Sequence, residues 1–243
     1  MILSPNKLKT LILRRAAKTS AIFGMFPDCS KVVIGLSGGA DSLVLVDIMF
    51  ELSKRWRKKI EFVPVFVDAG FFPIDNDKID AIKRFCTNRE MKLQIIEKHS
   101  IAKSVQSDEN PFPPCFTCSR MRRKTLLETA QSLDAKFITL GHHKDDLIET
   151  FLLNILFSRR ISAIMPKQEL FDGLFYIIRP MILVDEDYIK RYAKLRVFPT
   201  IEKNCPYAGD TRREWVKNLL TRMKNEYPEI KKNILRSLFH PKT

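Results

Sequence analysis

The stretch KVVIGLSGGADSLVLVDIM, Lys31 to Met49, constrains this chain more than any other, because six small or polar residues join two apolar runs. Lys31 to Leu36 is short and rich in β-branched residues, which predicts a strand. Leu43, Val46 and the Asp47–Ile48 pair recur at helical spacing, which predicts a helix. Gly38 and Gly39 let the backbone of the turn between them come close to a ligand. The N–H groups of the turn and the positive end of the helix form a seat for phosphate. The joint therefore reads as nucleotide binding. It lacks the Gly-Lys-Ser/Thr ending of a Walker A loop, and it is not Gly-x-Gly-x-x-Gly. An ordinary βα turn capped by Asp41 or Ser42 is the plainer alternative.

Strand-like and helix-like segments alternate along the rest of the chain. Lys59–Gly70, Lys92–His99, KFITLGHH and LFYIIRPMILV read as strands. Asn76–Met91, RMRRKTLLETAQSLDA, DDLIETFLLNILF and DEDYIKRYAKLR read as helices. This is βαβ logic, so the expected fold class is α/β, a parallel sheet with helices on both faces. Ser100–Ser119 is polar and proline-rich and reads as an irregular insertion carrying cysteines. Residues 1–28 read as an N-terminal helical segment, 29–205 as the nucleotide-binding domain and 206–243 as a basic helical tail.

With 243 residues the chain is long enough for one α/β domain with small additions. A formal charge of +14 favours a polyanionic partner over a neutral metabolite. No apolar stretch reaches the ~20 residues of a spanning helix, and the charged N-terminus has no signal-peptide core, so the expectation is a cytoplasmic protein with no membrane partner. Five cysteines, an odd number, argue against a disulfide framework and for metal or redox chemistry.

Two further motifs carry chemistry. LGHHKDDLIETFLLNILF, Leu140 to Phe157, sets Asp145 and Asp146 at the start of a helix just past a strand end, the ligand-binding edge of open α/β sheets. A Mg²⁺ ion bridging ATP phosphates needs one or two carboxylates at such a place, although acids also stabilise helix N-termini by themselves. His142 and His143 stand beside them with no choice between the two for a chemical role. PPCFTCSRMRRKTLLETA holds Cys115 and Cys118 as C-x-x-C, a pattern shared by zinc knuckles, redox pairs and clusters. Cys205 precedes Pro206, as a closing cluster ligand often does. Cys86 falls at helical spacing with Ile79 and Ile82, which makes it a small core residue, and Cys29 has no neighbouring ligand type.

SGGADS resembles the pyrophosphate loop of the N-type ATP pyrophosphatases, which cleave ATP between its α- and β-phosphates. Together with PCFTCSRMRR, LGHHKDDLIETFLLN, Met165-Pro166, RPMI at Arg179 and CPYAGDTRR at Cys205, the chain from about Lys31 to Leu220 resembles the tRNA 2-thiocytidine synthetase family. The resemblance implies ATP and Mg²⁺, a [4Fe–4S] cluster on Cys115, Cys118 and Cys205, tRNA as substrate, an unidentified sulfur donor and a homodimer. It implies nucleotide contacts from Ser37, Gly38, Gly39, Asp41, Ser42, Asp68, Gly141 and His142, and catalytic parts for Asp41, Asp145, Asp146 and Arg122. On this reading a pyrimidine C=O is adenylated so that its oxygen departs with AMP, and sulfur takes its place. Arg122 and Arg123 would hold the adenylate or an RNA phosphate. Arg212, Arg213, Lys217, Arg222 and Lys224, with Trp215 and Tyr227 interleaved, form a candidate RNA surface. The alternatives are 2-thiouridine synthesis, a nitrogen-transferring relative without a cluster, and an ATP-gated RNA-binding module.

Overall fold

The computed structural model describes residues 3–27, 31–56, 59–71, 73, 75–201, 205–207, 209 and 211–239; Cys29 lies outside them. A six-stranded sheet forms the centre, in the order β3-β2-β1-β4-β6-β5. Its strands are β1 Lys31–Leu36, β2 Glu61–Asp68, β3 Gln94–Glu97, β4 Phe137–Thr139, β5 Lys167–Leu170 and β6 Phe175–Ile178. β1 pairs in parallel with β2 on one side and β4 on the other. The chain thus builds outward from β1 to β3, then returns to start again at β4. The crevice at this reversal, beyond the carboxyl ends of β1 and β4, is where open α/β sheets bind ligands.

Both faces of the sheet are covered, which is why β1 and β2 are apolar almost throughout rather than alternating. On one face lie α1 Pro5–Ile22, α2 Ala40–Ser53, α3 Asn76–Thr87 and α7 Glu186–Leu195, with Leu8, Ile12, Leu43, Ile48, Cys86 and Tyr192 fully buried between them. Cys86 is the core residue its spacing predicts, and burial pushes its thiol up to about 11. The other face is covered by α4 Ser100–Gln106 and α5 Pro114–Ser132. A third cluster joins α6 Lys144–Ser158 to α8 Arg212–Glu226 and α9 Ile230–Phe239 through Leu147, Ile148, Val216 and Leu220.

Three expectations change. Ser100–Ser119 is not an irregular insertion: Ile101 and Val105 of α4 are buried in the second core cluster, and the C-x-x-C pair opens α5. The short apolar period was masked by flanking Ser, Lys and Pro. The strand expected through LFYIIRPMILV stops at Ile178, because Pro180 removes a ladder donor and Arg179 turns inward. Finally, the sheet is not wholly parallel, since β5 joins the edge of β6 antiparallel. KQEL carries no apolar alternation, and the hairpin rests on Phe171, Asp172 and Gly173, all at positive φ.

Candidate active site

The phosphate loop is closed by hydroxyls. Ser42 Oγ, buried at the start of α2, accepts from the Ser37 N–H at 3.1 Å and donates to the Gly39 carbonyl at 2.9 Å. Gly39 is the N-cap of α2, so the N–H groups of the first helical turn point into the crevice. Gly38 takes φ +77°, and a Cβ there would sit 3.1 Å from the Ile201 side chain, whose N–H binds the Gly38 carbonyl at 2.9 Å. Gly141 serves a different need: a Cβ would meet the Asp41 carbonyl oxygen at 3.0 Å. Its bare backbone lets the β4–α6 turn press against the first turn of α2, and so brings the two acidic motifs together.

The carboxylates then separate by partner. Asp41 Oδ1 is buried with no hydrogen-bond partner; His143 Nε2 stands 3.9 Å away. Burial raises its carboxyl above the ordinary range, and the nearby Asp146 and Glu186 charges add to that, against the pull of His143. Asp145 has both oxygens engaged, by Lys231 Nζ at 2.6 Å and the Glu186 N–H at 3.0 Å. Burial alone would raise its carboxyl, but those two bonds outweigh it and hold the group low. Asp146 accepts from the His143 N–H in a capping box and pairs with Arg213, which also reaches Glu149 Oε2 at 3.0 Å. Burial still pushes Glu149 upward. Of the two histidines, His143 caps α6. His142 Nδ1 accepts from Arg179 Nε at 3.1 Å, and burial followed by that cation lowers its pKa to about 4. Its imidazole is neutral at physiological pH.

A cavity of about 200 Å³ adjoins the loop, lined by Ser37, Asp68, Cys118, Arg122 and Cys205 among others. Cys118 and Cys205, far apart in sequence, thus share one cavity with the phosphate loop. Cys115 is exposed on the preceding turn of α5 and does not line it. Among the described residues no three His, Cys, Asp or Glu side chains are gathered in a set that could hold a metal ion. Arg122 Nε is buried without a hydrogen-bond partner. Asp68 accepts from the Gly70 N–H and bonds His99 Nε2, each at 2.9 Å.

Arg213 and Lys217, expected on an RNA surface, also pair with carboxylates while staying more than 40% exposed: Arg213 with Asp146 and Glu149, Lys217 at 3.5 Å from Glu186. Glu186 and Lys231 were not singled out by sequence reasoning, and Arg179 entered only within the RPMI motif, with no role of its own. Arg179, 3% exposed, gave one signal, a lone cation inside the apolar run LFYIIRPMILV. A buried charge there needs partners, and it has them in His142 and the Met165 carbonyl.

A family model described as a PP-loop domain matches residues 11–223. The tRNA-cytidine(32) 2-sulfurtransferase of Deinococcus radiodurans is 33% identical over 237 residues, covering 96% of this chain and 78% of that one. Its counterpart in Geobacter sulfurreducens is 32% identical, covering 96% and 89%. Among solved structures, the U34-tRNA thiolase NcsA from Methanococcus maripaludis, solved with its [4Fe-4S] cluster, matches with a TM-score of 0.77 and 22% identity over 96% of this chain and 78% of that one. The NH3-dependent NAD synthetase of Campylobacter jejuni matches at 0.51, with 16% identity over 99% and 93%. These two likenesses show the fold. From the full-length relatives and the matched model, the chain belongs to the PP-loop family, in the branch of the tRNA-cytidine(32) 2-sulfurtransferases.

Proposed function

We propose that this chain is an ATP-dependent tRNA sulfurtransferase that converts a cytidine to 2-thiocytidine, the activity that the names of its relatives carry. One observation carries the reading: Ser37 of the phosphate loop, Arg122 with its unpartnered Nε, Cys118 and Cys205 line a single cavity. A nitrogen-transferring PP-loop enzyme needs the loop but no thiols beside it. The base C2 carbonyl oxygen attacks the α-phosphorus of ATP, and pyrophosphate leaves. A sulfide-class nucleophile then adds at C2, and the C–O bond breaks with the oxygen departing in AMP.

The chain's own groups bind and orient. The Ser37–Ser42 loop and the first turn of α2 hold phosphate oxygens, with Gly38 and Gly39 giving backbone access, and Arg122 Nε takes the charge that develops on the adenylate. Gly141 and the neutral His142 shape the nucleotide side, and Asp68 closes the cavity wall. The orphaned Asp41 oxygen fits Mg²⁺, which takes one or two carboxylates: Asp41 would hold the ion, and Asp146 would serve as the second carboxylate by giving up its pair with Arg213. When bound, the ion supplies positive charge to the phosphates. Asp145 acts through its bonds to Lys231 and Glu186, fixing α6 against α7 and α9.

Three cysteines are the donor set of a sulfur-ligated group, and two already share the cavity. Cys115, Cys118 and Cys205 would hold a [4Fe–4S] cluster once Cys115 turns toward the other two. Such a cluster, bound by three thiolates, supplies one iron open to sulfide. In this reading residues 29–205 carry the chemistry, α1 braces the sheet, and α8 and α9 close over the carboxylates.

The test is an anaerobic reconstitution with iron and sulfide, followed by incubation with ATP, Mg²⁺, sulfide and unmodified tRNA. Nucleoside mass spectrometry should find 2-thiocytidine, with one pyrophosphate released for each base thiolated. A nitrogen-substituted nucleoside, or thiolation without pyrophosphate, would rule the assignment out.

A further inference from the structure

We propose that the joint between the end of α6 and the first turn of α8 is a stacking platform for an unpaired stretch of RNA next to the reacting nucleotide. This rests on the tRNA reading above and adds where the RNA is gripped.

The amphipathic pattern of α6 fails at its end. Ile155, Leu156 and Phe157 are all exposed, and beyond Arg159, which ends the helix in the left-handed region, Ile161 is 91% exposed and Met165 is exposed as well. Across from them Trp215 of α8, 54% exposed, meets Phe157 edge to face, with ring centroids 5.8 Å apart at 79°. The Arg212 guanidinium lies 5.1 Å from the Phe157 centroid. A protein that left this many large apolar groups in water without use would bear their cost for nothing.

Charge selects the occupant. From Asn154 to Pro166 the sequence has Arg159 and Arg160 and no acidic residue, and Arg212 adds a further cation from α8. Aromatic faces interleaved with arginines are what unpaired bases stack on, while the guanidinium groups meet the phosphates. The location also fits. The first turn of α8 touches both regions, with Arg213 on Asp146 and Glu149 and with Arg212 and Trp215 on Phe157. Along α6 the platform lies about 16 Å from Asp146, at about 1.5 Å per residue. A few unstacked nucleotides bridge that distance. The loop beyond α6 is tied back to the site by Arg179, which binds both the Met165 carbonyl and His142.

The chain has two tryptophans, and Trp56 packs against Phe26 and Phe62, so Trp56→Phe leaves Trp215 as the single reporter without touching the platform. This variant would be titrated with tRNA, with an RNA hairpin bearing an unpaired loop, and with a blunt RNA duplex of equal charge. The expected result is quenching of Trp215 emission by tRNA and the hairpin but not by the duplex. Phe157→Ala, with ATP affinity and thermal midpoint kept, should weaken tRNA binding by at least about tenfold. Tight tRNA binding that leaves Trp215 emission unchanged overturns the platform alone, whereas no binding to any RNA overturns the thiolation reading with it. A Trp215 signal that instead follows protein concentration without RNA, alongside a doubling of mass, assigns the face to a second copy of the chain and also overturns the proposal.

Discussion

Two aspartates less than two turns apart on α2 behave in opposite ways. Asp47 is buried and fully satisfied: Arg89 reaches it at 2.7 and 2.8 Å, Tyr192 donates to it at 2.7 Å, and Arg89 itself lies 3.5 Å over the Phe85 ring. Asp41, at the mouth of the crevice, has a buried oxygen with no partner and a carboxyl pushed upward by burial. A buried carboxylate whose lone pairs are all taken holds structure together. One with a buried oxygen left short carries the desolvation of that oxygen as a standing cost to the fold. The same contrast separates Asp145, doubly bound, from Asp41 across the crevice.

The largest expected effect breaks this contrast on the functional side. Asp41→Ala should lower RNA-dependent pyrophosphate release by roughly a thousandfold while leaving tRNA affinity where it was and the thermal midpoint no lower than that of the wild type. Wild-type turnover would remove Asp41 from the site. A stability corollary follows from its raised carboxyl. The folded chain holds this proton more tightly than the unfolded one, so ionising Asp41 destabilises the fold as pH rises from the ordinary aspartate range through the folded pKa. Asp41→Asn escapes that loss and should be the more stable protein at neutral pH, with the advantage fading in acid. Denaturant melts across pH check it, and a variant less stable at neutral pH contradicts the idea of a strained carboxylate.

On the structural side, Asp47→Ala leaves Arg89 charged and buried, and should cost about 3–5 kcal/mol of stability. The activity of the molecules still folded at low temperature should remain near wild type. Denaturant unfolding with an active-site titration separates the two quantities, and loss of turnover without loss of stability would erase the distinction drawn between the aspartates.

An intermediate effect concerns His142, whose pKa of about 4 in the fold lies below its ordinary value. The unfolded chain therefore binds this proton first, and stability present above about pH 6.5 is lost as pH falls toward 4. His142→Gln should flatten that part of the acid limb. An unchanged acid profile would mean that other groups govern it.

How much of this was legible depended on whether the physical cause was local. The Lys31–Leu36 strand, the loop and α2 were legible because β-branched residues, glycines and helical spacing act within a few residues of one another. So was the meeting of Asp41 with the Asp145–Asp146 motif, since both follow strands that flank the point where the sheet reverses direction. The pairing of Cys118 with Cys205 in one cavity came from the resemblance rather than from spacing, because nothing local links residues so distant. What the sequence hid was choice among equals. Asp145 and Asp146 are neighbours of one kind, and only tertiary docking decides their partners: α7 and α9 bring the Glu186 N–H and Lys231 to Asp145, and α8 brings Arg213 to Asp146. Likewise Arg213 and Arg212 are adjacent, yet helical geometry sends one to the carboxylates and the other to the Phe157 ring.

The smallest effect sharpens the comparison through that neighbour. Arg213 is the cation set over Asp146 and Glu149, and it is nearly half exposed, so solvent screens much of its attraction. Arg213→Ala should cost no more than about 1 kcal/mol at neutral pH. Its penalty must depend on pH in a particular direction. Burial already raises Glu149, and Arg213 is the strongest influence pulling it back, so removing the cation harms only the ionised carboxyl. As pH falls and Glu149 takes up its proton, the part of the penalty that comes from Glu149 should vanish and the total should shrink. Denaturant melts of wild type and Arg213→Ala at pH 7 and near pH 4 compare the two limits. A penalty equal at both would mean that Arg213 stabilises α8 by packing of its stem rather than by charge, and that the carboxylates it covers are less starved of cations than their burial implies.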